Sequence, residues 1–201
     1  MKNFILRRNF YNRPTPKVAK ELLGKFIVRK IGKKKLVGKI VEVEAYHGLK
    51  DLASHASRGK TERNAVMFGH AGYIYVYMIY GMYYCFNIVT GDHGYPAAVL
   101  IRAVEPVFAE ASAAARILAD KSAGKPTEKK FSTNGPGKFC RAFKIDKSLN
   151  GADVTKSKML WLEDRGGKIK KADIISAKRI GVDYAKEYKD KLWRFYVKSS
   201  D

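Results

Sequence analysis

The chain has 201 residues, and its 46% hydrophobic and 12% aromatic content is enough to build a buried core and argues against intrinsic disorder. Lys and Arg number 40 against 19 Asp and Glu, so the formal net charge is +21 and the surface is expected to attract a polyanion such as nucleic acid. A lysine-rich surface without such a partner is the alternative. Neither of the two cysteines belongs to a paired-cysteine motif, which argues against a zinc ribbon or a disulfide framework.

Helix and strand signals organise the N-terminal half. Met1–Arg8 has no apolar stretch long enough for a secretory signal, so we expect an intracellular protein. Thr15 before Pro16 is typical of a helix cap, Gly24 is typical of a helix stop, and apolar runs around a basic turn predict a hairpin. The predicted elements are a helix at 16–23, strands at 25–30 and 36–46, and a long functional loop at 48–72 with a helical turn at 63–67.

The segment Gly72–Val89 carries no charged residue over 18 positions, which is the length of a membrane span. Its six tyrosines and its alternation of period two favour paired strands in a buried sheet instead. The further predicted elements are strands at 73–79, 83–89 and 97–104, a helix at 106–118, a linker at 120–130, a helix that begins at Pro136, and strands at 159–163, 174–180 and 193–197. Together these elements predict one α+β domain over residues 1–201, with a curved, largely antiparallel sheet core and peripheral helices.

Two carboxylates share one side of the strand at 40–46. Alternation along the strand predicts a core face of apolar side chains and an opposite face with two acids and a phenol. The core face holds Val41, Val43 and Ala45, and the opposite face holds Glu42, Glu44 and Tyr46. A carboxylate between aromatic neighbours is partly desolvated, which makes it a better base for activating water than an exposed carboxylate. From the strand alone, the solvated face of an edge strand remains an alternative.

A row of tyrosines follows in the strand at 73–77, where Tyr73, Tyr75 and Tyr77 share one face. Aromatic faces stack on nucleobases and attract cations, which would favour a purine made positive by alkylation. An ordinary aromatic core is the alternative, although each buried hydroxyl then needs a polar partner. Tyr80 beside Gly81 at the strand end is a candidate wedge that would fill the space left by a nucleotide that has moved out of the stack.

Three further polar side chains interrupt apolar or loop segments. Asn87 and Arg102 each lie within an apolar run and therefore need partners. Arg102 is a candidate partner of Glu44 that would help to hold a water molecule, and a purely structural ion pair is an equal alternative. His55, in the long loop, is either a hydrogen-bond donor to a ligand or a residue that stabilises the loop.

Several of these segments, in this order and spacing, resemble the alkyladenine (3-methyladenine) DNA glycosylase family. The matching segments are Glu44-Ala45-Tyr46, Ser54-His55-Ala56-Ser57-Arg58-Gly59, Arg63-Asn64, Met67-Phe68, Tyr75-Val76-Tyr77, Tyr80-Gly81-Met82, Asn87 and Leu100-Ile101-Arg102-Ala103. The resemblance implies a mixed α/β domain without a helix-hairpin-helix, double-stranded DNA with a damaged purine as the partner, and direct hydrolysis of the bond between base and sugar. It implies no metal and no cofactor, and we expect a monomer that does not associate with membranes.

The resemblance also implies a role for individual residues. Glu44 matches the general base, and Arg102 matches a residue that helps to place the water. The substrate pocket would comprise Tyr46, His55, Tyr77, Asn87 and Ala53, of which Asn87 would clash with the 2-amino group of unmodified guanine. The DNA-contacting residues would be Tyr80 as the wedge, with Met67 and Tyr83 beside it.

Two other functional classes fit parts of the same pattern. A metal-dependent nuclease would use a magnesium site made of Glu42, Glu44, Asp51 and His55. A nucleic-acid binder without catalytic activity would need only the basic surface and the stacking tyrosines.

Overall fold

A computed structural model describes residues 4–107 and 133–198, and nine antiparallel strands within these ranges form one open sheet. The strands are β1 (Phe4–Ile5), β2 (Phe26–Ile31), β3 (Lys34–His47), β4 (Ile74–Ile79), β5 (Tyr83–Val89), β6 (Ala97–Pro106), β7 (Leu160–Asp164), β8 (Ile174–Ala177) and β9 (Arg194–Val197). Three helices accompany them: α1 (Arg8–Tyr11), α2 (Thr15–Leu22) and α3 (Pro136–Ala142). The α+β class with a largely antiparallel sheet is confirmed, and the described ranges contain no helix-hairpin-helix.

The long strand β3 is the centre of the sheet, whose main strand order is β1-β7-β2-β3-β6-β5-β4. One edge of β3 pairs with β6. Its other edge pairs first with β2 and then, over Glu42–Glu44, with β9, which also pairs with β8. The acidic part of β3 therefore has a neighbouring strand on both sides, and the edge-strand interpretation of Glu44 is wrong.

The two faces of the sheet have different coverings. Side chains of α2 and α3 pack with the inward residues of β3, β4 and β5 in the main hydrophobic core, which includes Val18, Phe139, Ile74 and Phe86. Because successive strand residues point to opposite faces, Tyr75 belongs to a second, smaller cluster on the other face. The chain between β3 and β4 covers part of that face, as expected for the long loop, with 3-10 turns at His55–Arg58 and Ala65–Phe68.

The predicted hairpins and the helix α2 are confirmed to within a few residues, but the cap of α2 is wrong. Pro14 occupies the N-cap position, and the hydroxyl of Thr15 instead lies 2.9 Å from Nδ1 of His47. Gly24 has φ of 81°, a conformation that glycine adopts without steric cost, and it ends the helix as predicted. The uncharged segment 72–89 forms the hairpin β4–β5. In the described part of the chain no helix has the length and apolar character that crossing a bilayer requires.

Other boundaries differ from the prediction. Pro106 ends β6 instead of opening a helix, because the backbone continues to pair with β3 as far as Gly38. Most of the predicted helix at 106–118 and the whole linker at 120–130 lie outside the described residues. The predicted strand at 174–180 ends at Ala177, so the residues after it are free to turn toward β3. Both cysteines are buried and free.

Candidate active site

Glu44 lies in the middle of β3 and is completely buried, with 0% of its surface exposed. A β-bulge precedes it, because the register with β6 shifts on both sides of Glu42. The bulge places both Ile40 and Val43 in the main core, while Val41 is only half-buried. The predicted core face therefore holds for Val43 and Ala45 but not for Val41, and the acids keep their common side.

Two hydrogen bonds and one ion pair reach the Glu44 carboxylate. The hydroxyl of Tyr46 donates to Oε2 at 2.8 Å, and the backbone N–H of Ile180 donates to Oε1 at 2.8 Å. Nη1 of Arg102 lies 3.3 Å from Oε2 and forms an ion pair with it. These three contacts fix the orientation of the carboxylate. Oε1 accepts one hydrogen bond from the described residues and has the capacity for another.

Arg102 lies between the two acids of β3. Its Nε donates to Oε1 of Glu42 at 3.0 Å, and the same oxygen accepts from Nη1 of Arg194 at 3.1 Å. Burial opposes the charge of Arg102, but Glu44 and Glu42 outweigh it and raise the pKa of the guanidinium. Arg102 therefore stays charged beside Glu44, and Glu42 fixes its orientation.

Two of the three predicted tyrosines and His55 form one aromatic wall beside the carboxylate. The rings of Tyr75 and Tyr77 lie 5.3 Å apart, and the ring of His55 lies 4.4 Å from that of Tyr77. Burial raises the pKa of Tyr75 to about 12 and that of Tyr77 well above its ordinary value, so both phenols stay neutral. Tyr73 lies before the strand begins and packs against His70.

His55 is held by the wall through its ring nitrogen. Nδ1 lies 2.9 Å from the hydroxyl of Tyr75. Loss of water on the packed side of the ring, and then the charge of Arg63, lower the pKa of His55, which favours the neutral imidazole. If the hydroxyl of Tyr75 donates its hydrogen bond to Nδ1, the neutral ring carries its hydrogen on Nε2, which is then a donor.

Asn87 and Ala53 border this region from β5 and from the loop. The side-chain amide of Asn87 donates to the carbonyls of Tyr75 at 3.0 Å and of Cys85 at 3.4 Å, which fixes it on the strand next to the aromatic wall. Ala53 is buried in a third small cluster against which Tyr46 packs. The structure thus brings Ala53 and Tyr46 together behind Glu44.

The tip of the β4–β5 hairpin is the most exposed apolar part of the described surface. Tyr80 is 86% exposed and has φ of 50°, a backbone conformation that a bulky side chain rarely adopts. Met78, Met82 and Tyr83 are exposed around it. An aromatic side chain at the end of a short hairpin, surrounded by apolar neighbours, has the shape of a wedge.

Met67 lies behind the aromatic wall. Its side chain is 2% exposed and packs with Ala56, Tyr75 and Val89 in the second, smaller cluster. Met67 therefore supports the wall, and its contact with DNA stays a prediction.

Sequence reasoning missed the segment between β8 and β9. Arg179 and Ile180 follow β8. Ile180 donates to Glu44 in β3, and Arg179 pairs at 2.6 Å with Asp51 in the loop after β3. The pairing connects residues 128 positions apart, so no local periodicity indicates it. The only sequence signal is an arginine between an apolar strand and a glycine, which is too common to identify a site.

A buried carboxylate close to an aromatic wall, on a chain with a net charge of +21, is what an enzyme that acts on nucleic acid would carry. The family model described as methylpurine-DNA glycosylase matches residues 9–201. The chain therefore belongs to the methylpurine-DNA glycosylase family, and it is a DNA N-glycosylase.

Individual relatives are similar over nearly the whole chain. A protein of Methanocella arvoryzae is 50% identical over 198 residues, which cover 98% of this chain and 94% of the relative. Proteins of Desulfitobacterium hafniense and Clostridium novyi are 48% and 47% identical over 197 residues, covering 97% of this chain and 96% of each relative. All three bear the name 3-methyladenine DNA glycosylase as a provisional assignment.

Proposed function

We propose that this enzyme removes alkylated or deaminated purines that have flipped out of duplex DNA, by attack of a Glu44-activated water on the sugar. Substrates of the 3-methyladenine, 7-methylguanine, hypoxanthine and ethenoadenine type fit this chemistry. The observation that carries the proposal is the buried Glu44 carboxylate, which Tyr46, Ile180 and Arg102 hold in place while Oε1 keeps the capacity for one further hydrogen bond.

The proposed step balances in atoms and charge. The water oxygen forms a bond to C1′ of the sugar, one water proton passes to Glu44, and the bond between C1′ and the purine nitrogen breaks with its electron pair on the base. Positive charge develops on the sugar as the base departs, and the nearby carboxylate stabilises it. A cationic alkylpurine leaves as a neutral molecule and needs no acid, whereas a neutral purine such as hypoxanthine or ethenoadenine must take up one proton from the solvent as it leaves. Arg102, kept charged by both glutamates, would orient the carboxylate and the water.

The aromatic wall would form the base pocket. Tyr77 and His55 offer one surface for stacking and Tyr46 the opposite one, and their rings attract an electron-poor purine. Asn87, fixed by its two backbone contacts, would exclude unmodified guanine through its 2-amino group. Ala53 would line the pocket beside Tyr46.

Tyr80 would fill the space left by the flipped nucleotide, with Tyr83 against the neighbouring backbone and Met67 supporting the pocket from behind. Base flipping costs a few kcal/mol, which a wedge offsets by stacking. One such site per chain is enough for the reaction, so we propose that the enzyme acts inside the cell as a monomer on double-stranded DNA.

Replacement of Glu44 tests this function. The Glu44→Gln variant lacks the carboxylate that would accept the water proton but keeps the size of the buried side chain. We therefore expect single-turnover release of 3-methyladenine to fall about 10²- to 10⁴-fold while duplex binding persists. The matched control is Glu163→Gln, which alters a buried, arginine-paired glutamate on β7 and should release the base at the wild-type rate. Unchanged release by Glu44→Gln would contradict the mechanism.

The two rival classes predict different results. Glu42 and Asp51 are each paired with arginine, and the described residues contain no group of three potential metal-binding side chains. A metal-dependent nuclease would lose activity in excess EDTA and would cleave the phosphate backbone, whereas base hydrolysis by Glu44 needs neither metal nor strand cleavage. A binder without activity would release no base in either the wild type or Glu44→Gln.

A further inference from the structure

The ion pair of Asp51 and Arg179 is a second buried charged unit beside Glu44. Both side chains are 0% exposed, and the two contacts between them measure 2.6 and 2.8 Å in a bidentate arrangement. Asp51 also accepts from the backbone N–H groups of His47 at 3.1 Å and Ala53 at 3.1 Å. The carboxylate therefore joins the end of β3 to the loop that follows it.

Arg179 uses all the donors of its two terminal nitrogens. Besides the contacts with Asp51, Nη1 donates to the carbonyl of Ala45 at 2.9 Å and Nη2 to the carbonyl of Tyr188 at 3.1 Å. Four hydrogen bonds in one plane fix the guanidinium with no rotational freedom. Three separate segments of the chain are thereby held in one position.

The contacts of Arg179 involve the residues next to the proposed catalytic Glu44. Ala45 lies between Glu44 and Tyr46 in β3, and the guanidinium carbon lies 4.8 Å from the centre of the Tyr46 ring. The residue after Arg179 is Ile180, whose N–H is the donor to Oε1 of Glu44 at 2.8 Å. One arginine thus fixes the backbone beside Glu44, packs on Tyr46, and anchors the peptide that orients the carboxylate.

Stability alone does not explain such a pair. Removing two charges from water costs several kcal/mol each by general estimate, roughly what their attraction returns, and apolar residues of similar volume often replace buried pairs without loss. Unlike apolar packing, the Asp51–Arg179 pair fixes the directions of the hydrogen bonds between the segments it joins.

We propose that Arg179, held by Asp51, is a positioning residue that sets the orientation of Glu44 and Tyr46 for attack on the sugar. The proposal rests on the proposed function of Glu44. Arg179 would also position the aromatic pocket, since Tyr46 contacts both Glu44 and Arg179.

The first test is Arg179→Lys, which keeps the charge and loses the planar set of four hydrogen bonds. We expect single-turnover base release to slow about 100-fold, the general cost of misplacing a reacting group by about 1 Å, while the Kd for lesion duplex changes less than about threefold. The matched control is Arg165→Lys, because Arg165 pairs with the buried Glu163 and stacks at 4.5 Å on Phe26, two strands from the site. Arg165→Lys should release the base at the wild-type rate.

The second test separates position from stability. The double variant Asp51→Leu/Arg179→Met fills a similar space without charge. We expect a lower unfolding temperature, because the backbone N–H groups of His47 and Ala53 lose their acceptor, and release by the folded variant still slowed about 100-fold. Release at the wild-type rate by either Arg179→Lys or the folded double variant would overturn the proposal. If the double variant does not fold, Arg179→Lys decides alone. Failure of the proposed function would show differently, as wild-type release by Glu44→Gln.

Discussion

Tyr80 combines a left-handed backbone conformation with an exposed aromatic side chain. A left-handed backbone at φ of 50° costs a non-glycine residue roughly 1–2 kcal/mol, and full exposure of a tyrosine ring returns nothing to the stability of the fold. Glycine would adopt this backbone conformation at a lower steric cost. A tyrosine at this position is therefore better explained by a function of its ring than by the stability of the fold. The adjacent Gly81 at φ of 68° completes the turn.

Replacing Tyr80 by glycine should therefore separate stability from activity. We expect Tyr80→Gly to unfold at the same temperature as wild type or higher, because strain is relieved. Base release from a lesion duplex should fall about 5- to 150-fold when the enzyme is in excess of DNA but below its Kd, the equivalent of roughly 1–3 kcal/mol of lost stacking. Thermal unfolding and single-turnover release measure the two effects.

A matched control exists in the turn after α3. Lys144 also has positive φ, at 49°, and is exposed on another part of the surface. Lys144→Gly should relieve the same kind of strain and leave base release within about twofold of wild type, since each lost surface charge is a small part of binding. Equal release by Tyr80→Gly and Lys144→Gly would remove the wedge from the mechanism.

At the scale of elements, β3 shows what a sequence pattern predicts and what it cannot. Alternation correctly placed Glu44 and Tyr46 on one side and Tyr75 with Tyr77 on one wall, because side-chain direction in a strand is a local property. The bulge at Val41, the burial of Met67 and the pairing of Arg179 with Asp51 all depend on neighbours distant in sequence. The strand pattern made Glu44 and Tyr80 candidates, and the roles proposed for them rest mainly on the family resemblance, because a strand pattern alone does not identify a catalytic group.

The contact between α3 and the sheet gives a prediction at the same scale. A Cβ at Gly38 of β3 would lie 2.8 Å from Cζ of Phe143 and 2.9 Å from Cγ2 of Val104, both part of the main core. Gly38→Ala should lower the free energy of unfolding by about 1–3 kcal/mol through overpacking.

Chemical denaturation measures this loss. Gly167→Ala is the control, because a Cβ there meets no atom within 4 Å and the glycine has no left-handed backbone. A loss no larger for Gly38→Ala than for Gly167→Ala would show that α3 yields to the added methyl group.

The whole molecule is dominated by its charge of +21. A field of this size attracts the phosphate backbone without regard to sequence, whereas we propose that the aromatic pocket selects the damaged base. Binding and chemistry should therefore respond differently to salt.

We expect the Kd for duplex DNA to rise about 10³-fold or more between about 50 and about 200 mM salt, as for a protein that contacts six or more phosphates. The single-turnover rate at saturating enzyme should stay constant over the same range, because the proposed step moves charge only within the buried pocket. Titration of labelled duplex at several salt concentrations gives the slope. A rise in Kd of less than about tenfold would contradict an electrostatic origin of binding.

We propose that the pocket at Glu44 hydrolyses the bond between a damaged purine and its sugar. The most direct measurement is base release from duplexes that carry 3-methyladenine, hypoxanthine or ethenoadenine, compared with the same duplex undamaged, for the wild-type enzyme in EDTA. Free base and an abasic site should appear from at least one damaged duplex and not from the undamaged one. No release from any of the damaged duplexes would contradict the proposed function.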